Sequence, residues 1–172
     1  MIEKQDKRLG VYQMKNKEKP GSVTHLMCRE IQAPIVSALI KGFAKEFGTE
    51  KTHALAHKII CKDAVSSGKT LAEKYSGNSL SDLLKVVQGV WAKDDTMEIK
   101  NLKLDQTSLQ FDVTRCGYAE MYERLGIKEL GVILSCGRDF AFMDGFNPQI
   151  ELVRTKTIME GDDICNFCYK TK

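Results

Sequence analysis

Histidine, proline and tryptophan are all scarce in this 172-residue chain, at three, three and one. The histidines are His25, His53 and His57. Any general base further along must therefore be Asp, Glu or Cys, or a histidine carried over from the N-terminal part. No apolar run approaches the ~18 residues of a bilayer span, so no membrane partner is expected. Residues 1–21 contain no apolar core of the kind a secretory leader needs, which leads to an expectation of cytoplasmic location. Charge of one sign is also missing. The formal charge is +3, and residues 1–19, with six Lys/Arg and three Asp/Glu, account for all of it. The body lacks the basic face that nucleic-acid binding requires, so no nucleic-acid partner is expected. No internal repeat or low-complexity segment occurs.

What remains is an ordinary soluble composition, 42% hydrophobic and 28% charged. A chain of this length suggests one domain. The reading is a basic arm over 1–20 and an α+β domain over 21–172, with a helical layer at 22–94 and a sheet unit at 95–172. Pro20-Gly21 ends the arm, and Ser22 or Thr24 can cap a helix. Pro34 either kinks that helix or starts a new one. Val36, Leu39, Ile40, Phe43 and Phe47 follow a 3.6-residue period and predict one apolar face. Gly48 stops the helix. The next, over about 50–66, is expected to bury Leu55, Ala56, Ile59 and Ile60, with Ser66-Ser67-Gly68 as an interruption. Ser79 caps a helix carrying Leu80, Leu83, Leu84, Val87, Val90 and Trp91 on one side.

Beyond residue 95 the period changes. Leu109, Phe111 and Val113 alternate with polar residues, and Asp105-Gln106-Thr107 reads as a hairpin turn. Helical stretches follow at 117–125 and about 128–143. A second strand pair, Gln149 to Ile158 and Ile164 to Tyr169, closes the chain around a turn at 160–163. The order predicts α+β, with N-terminal helices packed on a four-stranded antiparallel sheet in ββ-αα-ββ order. The amphipathic helices at 34–47 and 79–91 could pack on that sheet or on a second copy of the chain, as a homo-oligomer.

Several patterns invite chemistry. Ser67-Gly68-Lys69-Thr70 has the end of a phosphate-binding loop, but Asp63 stands where the motif requires glycine. His53, His57 and Cys61 form a stripe at i, i+4, i+8 with ligand types suited to zinc, or are half-buried residues at the edge of a packed face. Cys165 and Cys168 form a lone CxxC. On a strand Cys165 shares a face with Phe167 and Tyr169, while Cys168 points the other way. Cys136 and Asp139 lie three apart on a predicted helix and so project from one face. With six cysteines and a reducing compartment, free thiols are expected rather than disulfides.

Arg115-Cys116-Gly117-Tyr118, then Leu134-Ser135-Cys136-Gly137-Arg138-Asp139-Phe140, then Pro148, Ile150, Leu152, Arg154-Thr155, Thr157-Ile158, Gly161-Asp162, Cys165 and Phe167, resembles the L-2-amino-thiazoline-4-carboxylic acid hydrolase family. The resemblance implies a hydrolase that opens a cyclic amidine or isothiourea, or acts on a related non-peptide C–N bond of a small-molecule substrate. It brings Cys116 to the same site as Cys136, Asp139 and Cys165. The residues then allow a covalent scheme with Cys136 or Cys165 as nucleophile, its thiolate favoured by Arg154 or Arg138. Asp139 would hold the amidinium. Arg154, Arg138 and Thr157 are the candidate substrate-binding residues. This scheme uses no cofactor. The alternative is zinc held by Cys116, Cys136, Asp139 and Cys165. The helices-plus-sheet order is also similar to ligand-sensing domains of the 4-vinyl-reductase type, which bind without turnover. Asp162 reads as a turn former.

Overall fold

The computed structural model describes residues 23–172, so the predicted arm at 1–20 lies outside the described residues. Helix α1 spans His25–Phe47 and α2 spans Thr49–Lys74. Helix α3, Leu80–Val86, continues as a π turn over Val87–Trp91. Strands β1 (Met97–Leu104) and β2 (Ser108–Cys116) form a hairpin. Then come α4 (Gly117–Arg124), a π turn at Val132–Cys136 and α5 (Arg138–Phe146). Strands β3 (Ile150–Val153) and β4 (Cys165–Thr171) complete an antiparallel sheet of order β1-β2-β4-β3. The α+β class and the ββ-αα-ββ order are those the sequence predicts.

Local chemistry explains the boundaries. Thr24 caps α1 by accepting the Met27 N–H at 3.1 Å. Ser79 and Asp82 form a reciprocal capping box on α3. Asp105 accepts the Thr107 and Ser108 N–H groups at 2.8 and 2.7 Å, which closes the hairpin turn. Gly161 takes φ 106°, and Asp162 accepts the Thr157 N–H at 2.8 Å, the turn role expected of it.

The register places Leu109, Phe111 and Val113 opposite Tyr169, Phe167 and Cys165, all facing the helices. These strand positions bury almost completely on the β2 side, each contributing roughly 1.5–3 kcal/mol. One core lies between this face, α3 and α5. A second joins α1, α4 and the segment around Leu130–Leu134. Met97, Cys116 and Ile158 touch both cores.

Three expectations need correction. Helix α1 is continuous through Pro34; of its apolar stripe, Ile40 turns to the body and Val36 packs at the core's edge, while the rest turns away. Ala33, Ser37 and Ile40 are buried, whereas Leu39, Phe43 and Phe47 are exposed. The helix seats its small residues inward because they allow a close approach. In α2, Leu55 and Ile59 are likewise exposed. Finally, Gly68 does not interrupt α2. It is the contact point with α5: a Cβ there would strike the Phe142 carbonyl, and one on Gly145 would strike the Val65 carbonyl. Gly145→Ala is therefore expected to lower stability by about 3 kcal/mol in a denaturant titration, since two backbones would have to part. A change under ~0.5 kcal/mol, typical of a neutral surface site, would contradict this crossing.

Candidate functional site

A cavity of about 510 Å3 lies between α1, α2, the inner face of the sheet and the start of α5. Cys116, Cys136, Asp139 and Cys165 all line it, as do Arg138 and Arg154. The fold thus brings together six of the seven candidate residues. The seventh, Thr157, is buried immediately behind them, with its Oγ1 3.6 Å from the Cys136 Sγ and 3.8 Å from the Cys165 Sγ.

Each thiol arrives from a different element. Cys116 ends β2 and precedes α4. Cys165 begins β4, where strand parity turns it inward with Phe167 and Tyr169, and the Ile158 N–H donates to its Sγ at 3.3 Å. Cys168 does not line the cavity. Cys136 and Asp139 do not share one continuous helix as predicted. Cys136 ends the π turn and Asp139 sits in the first turn of α5, on either side of Gly137. Both nevertheless reach the cavity. All six cysteines are free.

Asp139 and Arg154 form the central pair. Arg154 Nη1 meets Asp139 Oδ2 at 2.5 Å, and its Nη2 donates to the Cys136 carbonyl at 2.9 Å. The guanidinium lies 5.1 Å from the Phe140 ring and 4.9 Å from that of Phe167. Burial pushes the Asp139 carboxyl above the usual range, and Arg154 opposes that shift. Arg138 is held separately, by Asp63 Oδ2 at 2.6 Å on α2. Both candidate anion-binding arginines therefore already have carboxylate partners.

The thiols depart from expectation in electrostatics. Burial pushes Cys136 up to about 12, although Arg154 pulls the other way, and Cys116 up to about 11. Neither is a standing thiolate at neutral pH. Iodoacetamide labelling of these two, followed by peptide mapping, should be slow at pH 7. The rate should keep rising roughly tenfold per pH unit beyond about pH 9, where an ordinary thiol of pKa about 8.5 has levelled off. A plateau near pH 8 to 9 would show that they are not buried as described.

The zinc set fares differently. Among the described residues no group of three or more His, Cys, Asp or Glu side chains is placed to hold a metal ion, and Asp139 is engaged by Arg154. The His53/His57/Cys61 stripe supplies only a Cys61 Sγ to His57 Nε2 contact of 3.5 Å.

Other lining residues lie outside the candidate set, among them His25, Arg29, Trp91 and Tyr118. His25 and Arg29 project from α1 on the same side as Ala33 and Ser37. The i, i+4 spacing of these four was legible but was overshadowed by the apolar stripe. His25 Nδ1 lies 2.7 Å from the Tyr118 hydroxyl, which donates to the Trp91 carbonyl at 3.3 Å. Burial, helped by Arg29 and Arg138, drops His25 to about 3, so it is neutral. Arg29 makes only two contacts of 3.4 Å, to Gln32 and His25, and no ion pair among the described residues. Trp91 packs edge-on against Phe142, with centroids 5.0 Å apart, and forms the apolar wall opposite the stacked Phe111 and Phe167.

An antiparallel sheet roofed by helices, with a mainly apolar cavity between them into which a few polar and charged side chains reach, defines a domain of the α+β class. The chain belongs to the L-2-amino-thiazoline-4-carboxylic acid hydrolase family, whose model matches residues 28–169. No curated protein matches its sequence. Solved structures that share the fold include these two. One is a trafficking protein particle complex subunit 3 from Naegleria fowleri covalently bound to palmitic acid. It is 15% identical, with 85% of this chain and 96% of that chain covered and a TM-score of 0.52. The other is the phenol-responsive sensory domain of the transcription activator PoxR with phenol. It is 12% identical, with 90% and 78% covered and a TM-score of 0.50. Among the described residues no helix is long and apolar enough to cross a membrane.

Proposed function

We propose that the cavity is a hydrolytic site for a cyclic amidine or isothiourea bearing a carboxylate, with Cys136 as nucleophile. The observation that carries this reading is the convergence on one apolar pocket of Cys136, the Asp139–Arg154 pair and Arg29, which has no ion pair among the described residues. A neutral amidine entering the pocket takes the Cys136 proton, so the buried thiol needs no lowered pKa in the free protein. The resulting amidinium is held by the free oxygen of Asp139. The thiolate adds to the amidine carbon, and the ring sulfur leaves with a proton. Water then attacks the same carbon and expels the Cys136 thiol, leaving a carbamoyl product. Cys116 and Cys165 flank the reaction, and Thr157 orients two of the three thiols.

Arg29 takes the substrate carboxylate, a role that Arg138 and Arg154 cannot readily fill while paired. Arg29→Met is expected to raise KM about 10- to 100-fold with little change in kcat, the loss of a charge-assisted pair made equally in ground and transition states. An unchanged KM on 2-aminothiazoline-4-carboxylate would remove Arg29 from the site. That compound has about nine non-hydrogen atoms. At a liquid share of ~30 Å3 per water-sized group it fills at most roughly half of the about 510 Å3. The better substrate carries an apolar substituent against Trp91 and Phe142.

A second reading, ligand binding without turnover, draws on the same apolar wall and on the palmitic acid and phenol held by the two proteins of this fold. Saturable binding of such ligands, with no product formed from any cyclic amidine, would favour it.

A further inference from the structure

The outer face of the helical layer is built for something that the described residues do not provide. Val23, Met27, Ile31, Ile35, Leu39, Phe43 and Phe47 recur every four residues along one side of α1 and its lead-in, and Leu55 and Ile59 continue the face on α2. All nine are 52–68% exposed. The remaining exposed large hydrophobics, Leu102, Leu104, Phe140 and Val153, are fewer and less open. At roughly 150–250 Å2 per large side chain, these nine leave on the order of 1,000 Å2 of apolar surface uncovered. The largest apolar patch of an ordinary monomer is about 300–600 Å2, and a stable interface needs ~800 Å2 from each partner.

We propose that a second copy of this chain covers this face, making the protein a two-fold dimer through α1 and α2. A two-fold contact must be self-complementary, and this surface carries both halves. The stripe on α1 is a ridge of i, i+4 side chains. Beside it, a groove of about 570 Å3 between α1 and α2 has Lys51 as its one charged lining residue. Residues 38 and 42, Ala and Gly, are exposed along the ridge, and a Cβ at Gly42 would meet nothing within 4 Å, so a second helix can approach closely. Ridges of this spacing interdigitate at about −50°. The charges beside the ridge do not oppose the contact. Glu30 pairs with Arg124 and Lys41 with Glu129 within the chain, each at 2.8 Å. The N-terminal segment is a poor substitute cover, since residues 1–19 hold nine charged side chains and no matching apolar period. The inference is independent of the chemistry assigned to the cavity, which is lined from α1 by His25 and Arg29 and by none of these nine residues.

Analytical ultracentrifugation of the full chain at micromolar concentration tests it. The expected mass is about 39 kDa, twice the 19.4 kDa of the chain. The Leu39→Glu/Phe43→Glu double variant should sediment as a monomer with an unchanged circular dichroism spectrum. Should that variant unfold, Ile31→Lys/Ile35→Lys, at the most exposed positions, serves instead. A wild-type monomer would overturn the proposal, as would a dimer that survives both variants. A monomer that pellets with phosphatidylcholine/phosphatidylserine vesicles, and stops doing so in the variants, would overturn it in favour of a lipid surface. Chemical cross-linking of mixed light and heavy isotope-labelled chains should join Lys41, Lys51 or Lys58 between copies. Cross-links confined to the sheet would contradict the face chosen.

Discussion

Cys136→Ala is expected to lower kcat/KM for a cyclic amidine substrate by on the order of 1,000-fold or more, while the melting temperature changes by only a few degrees. The two effects separate because the thiol does different work in each. For stability it is one partly buried sulfur resting 3.6 Å from the Thr157 hydroxyl, and alanine leaves a small void. For turnover, in the reaction proposed above, it is the atom that forms the bond to the amidine carbon. Cys165→Ala should show the reverse balance. That sulfur is 5% exposed, accepts the Ile158 N–H and packs in the main core, so its removal costs stability first. If Cys136→Ala keeps full turnover on a substrate the wild type hydrolyses, the covalent scheme is wrong, whatever Cys165→Ala does.

Asp139→Leu should be the most destabilising single change at the site, by about 3–5 kcal/mol, because it leaves the Arg154 guanidinium buried without its counter-charge. Arg154 is 6% exposed and Asp139 24%. At roughly 2–4 °C per kcal/mol for a chain of this size, the melting temperature should fall by about 10 °C. Arg154→Met in the same background removes the orphaned charge, so the double variant should recover to within ~1 kcal/mol of the wild type. It should nevertheless stay inactive, since neither a carboxylate for the amidinium nor the donor to the Cys136 carbonyl remains. A denaturant-based double-mutant cycle reads the coupling directly. Additive losses would mean that the pair is not the linked unit described.

The sequence made the lower half of the fold legible and the upper half only partly so. Clean alternation at Leu109, Phe111 and Val113 has one structural solution, a strand with that face inward, and the paired β4 parity follows from it. Cys165 could be placed in the site and Cys168 outside it for that reason. The N-terminal helices are less legible because an apolar stripe does not say which way it faces: Leu55 and Ile59, expected inside, are exposed, and the stripe on α1 has two candidate partners, the sheet or a second copy. Helix α1 turns Ala33 and Ser37 to the body, where small residues permit close packing, and leaves Leu39, Phe43 and Phe47 outside. The same inversion hid Arg29 and His25. Gly68 was read as a break because glycine usually weakens helices, yet the backbone of α5 needs that space. The electrostatics of Cys136 were beyond reach of spacing arguments, since its burial depends on how α1, α2 and α5 converge over the sheet.

The proposed reaction depends on a covalent bond at one sulfur, that of Cys136. Acid-quenching the wild-type protein during turnover of 2-aminothiazoline-4-carboxylate, then mapping its peptides by mass spectrometry, tests this directly. The account predicts the mass of the ring-opened substrate on the peptide containing Cys136, absent from Cys136→Ala. Turnover with every cysteine unmodified, and undiminished in the variant, would contradict it.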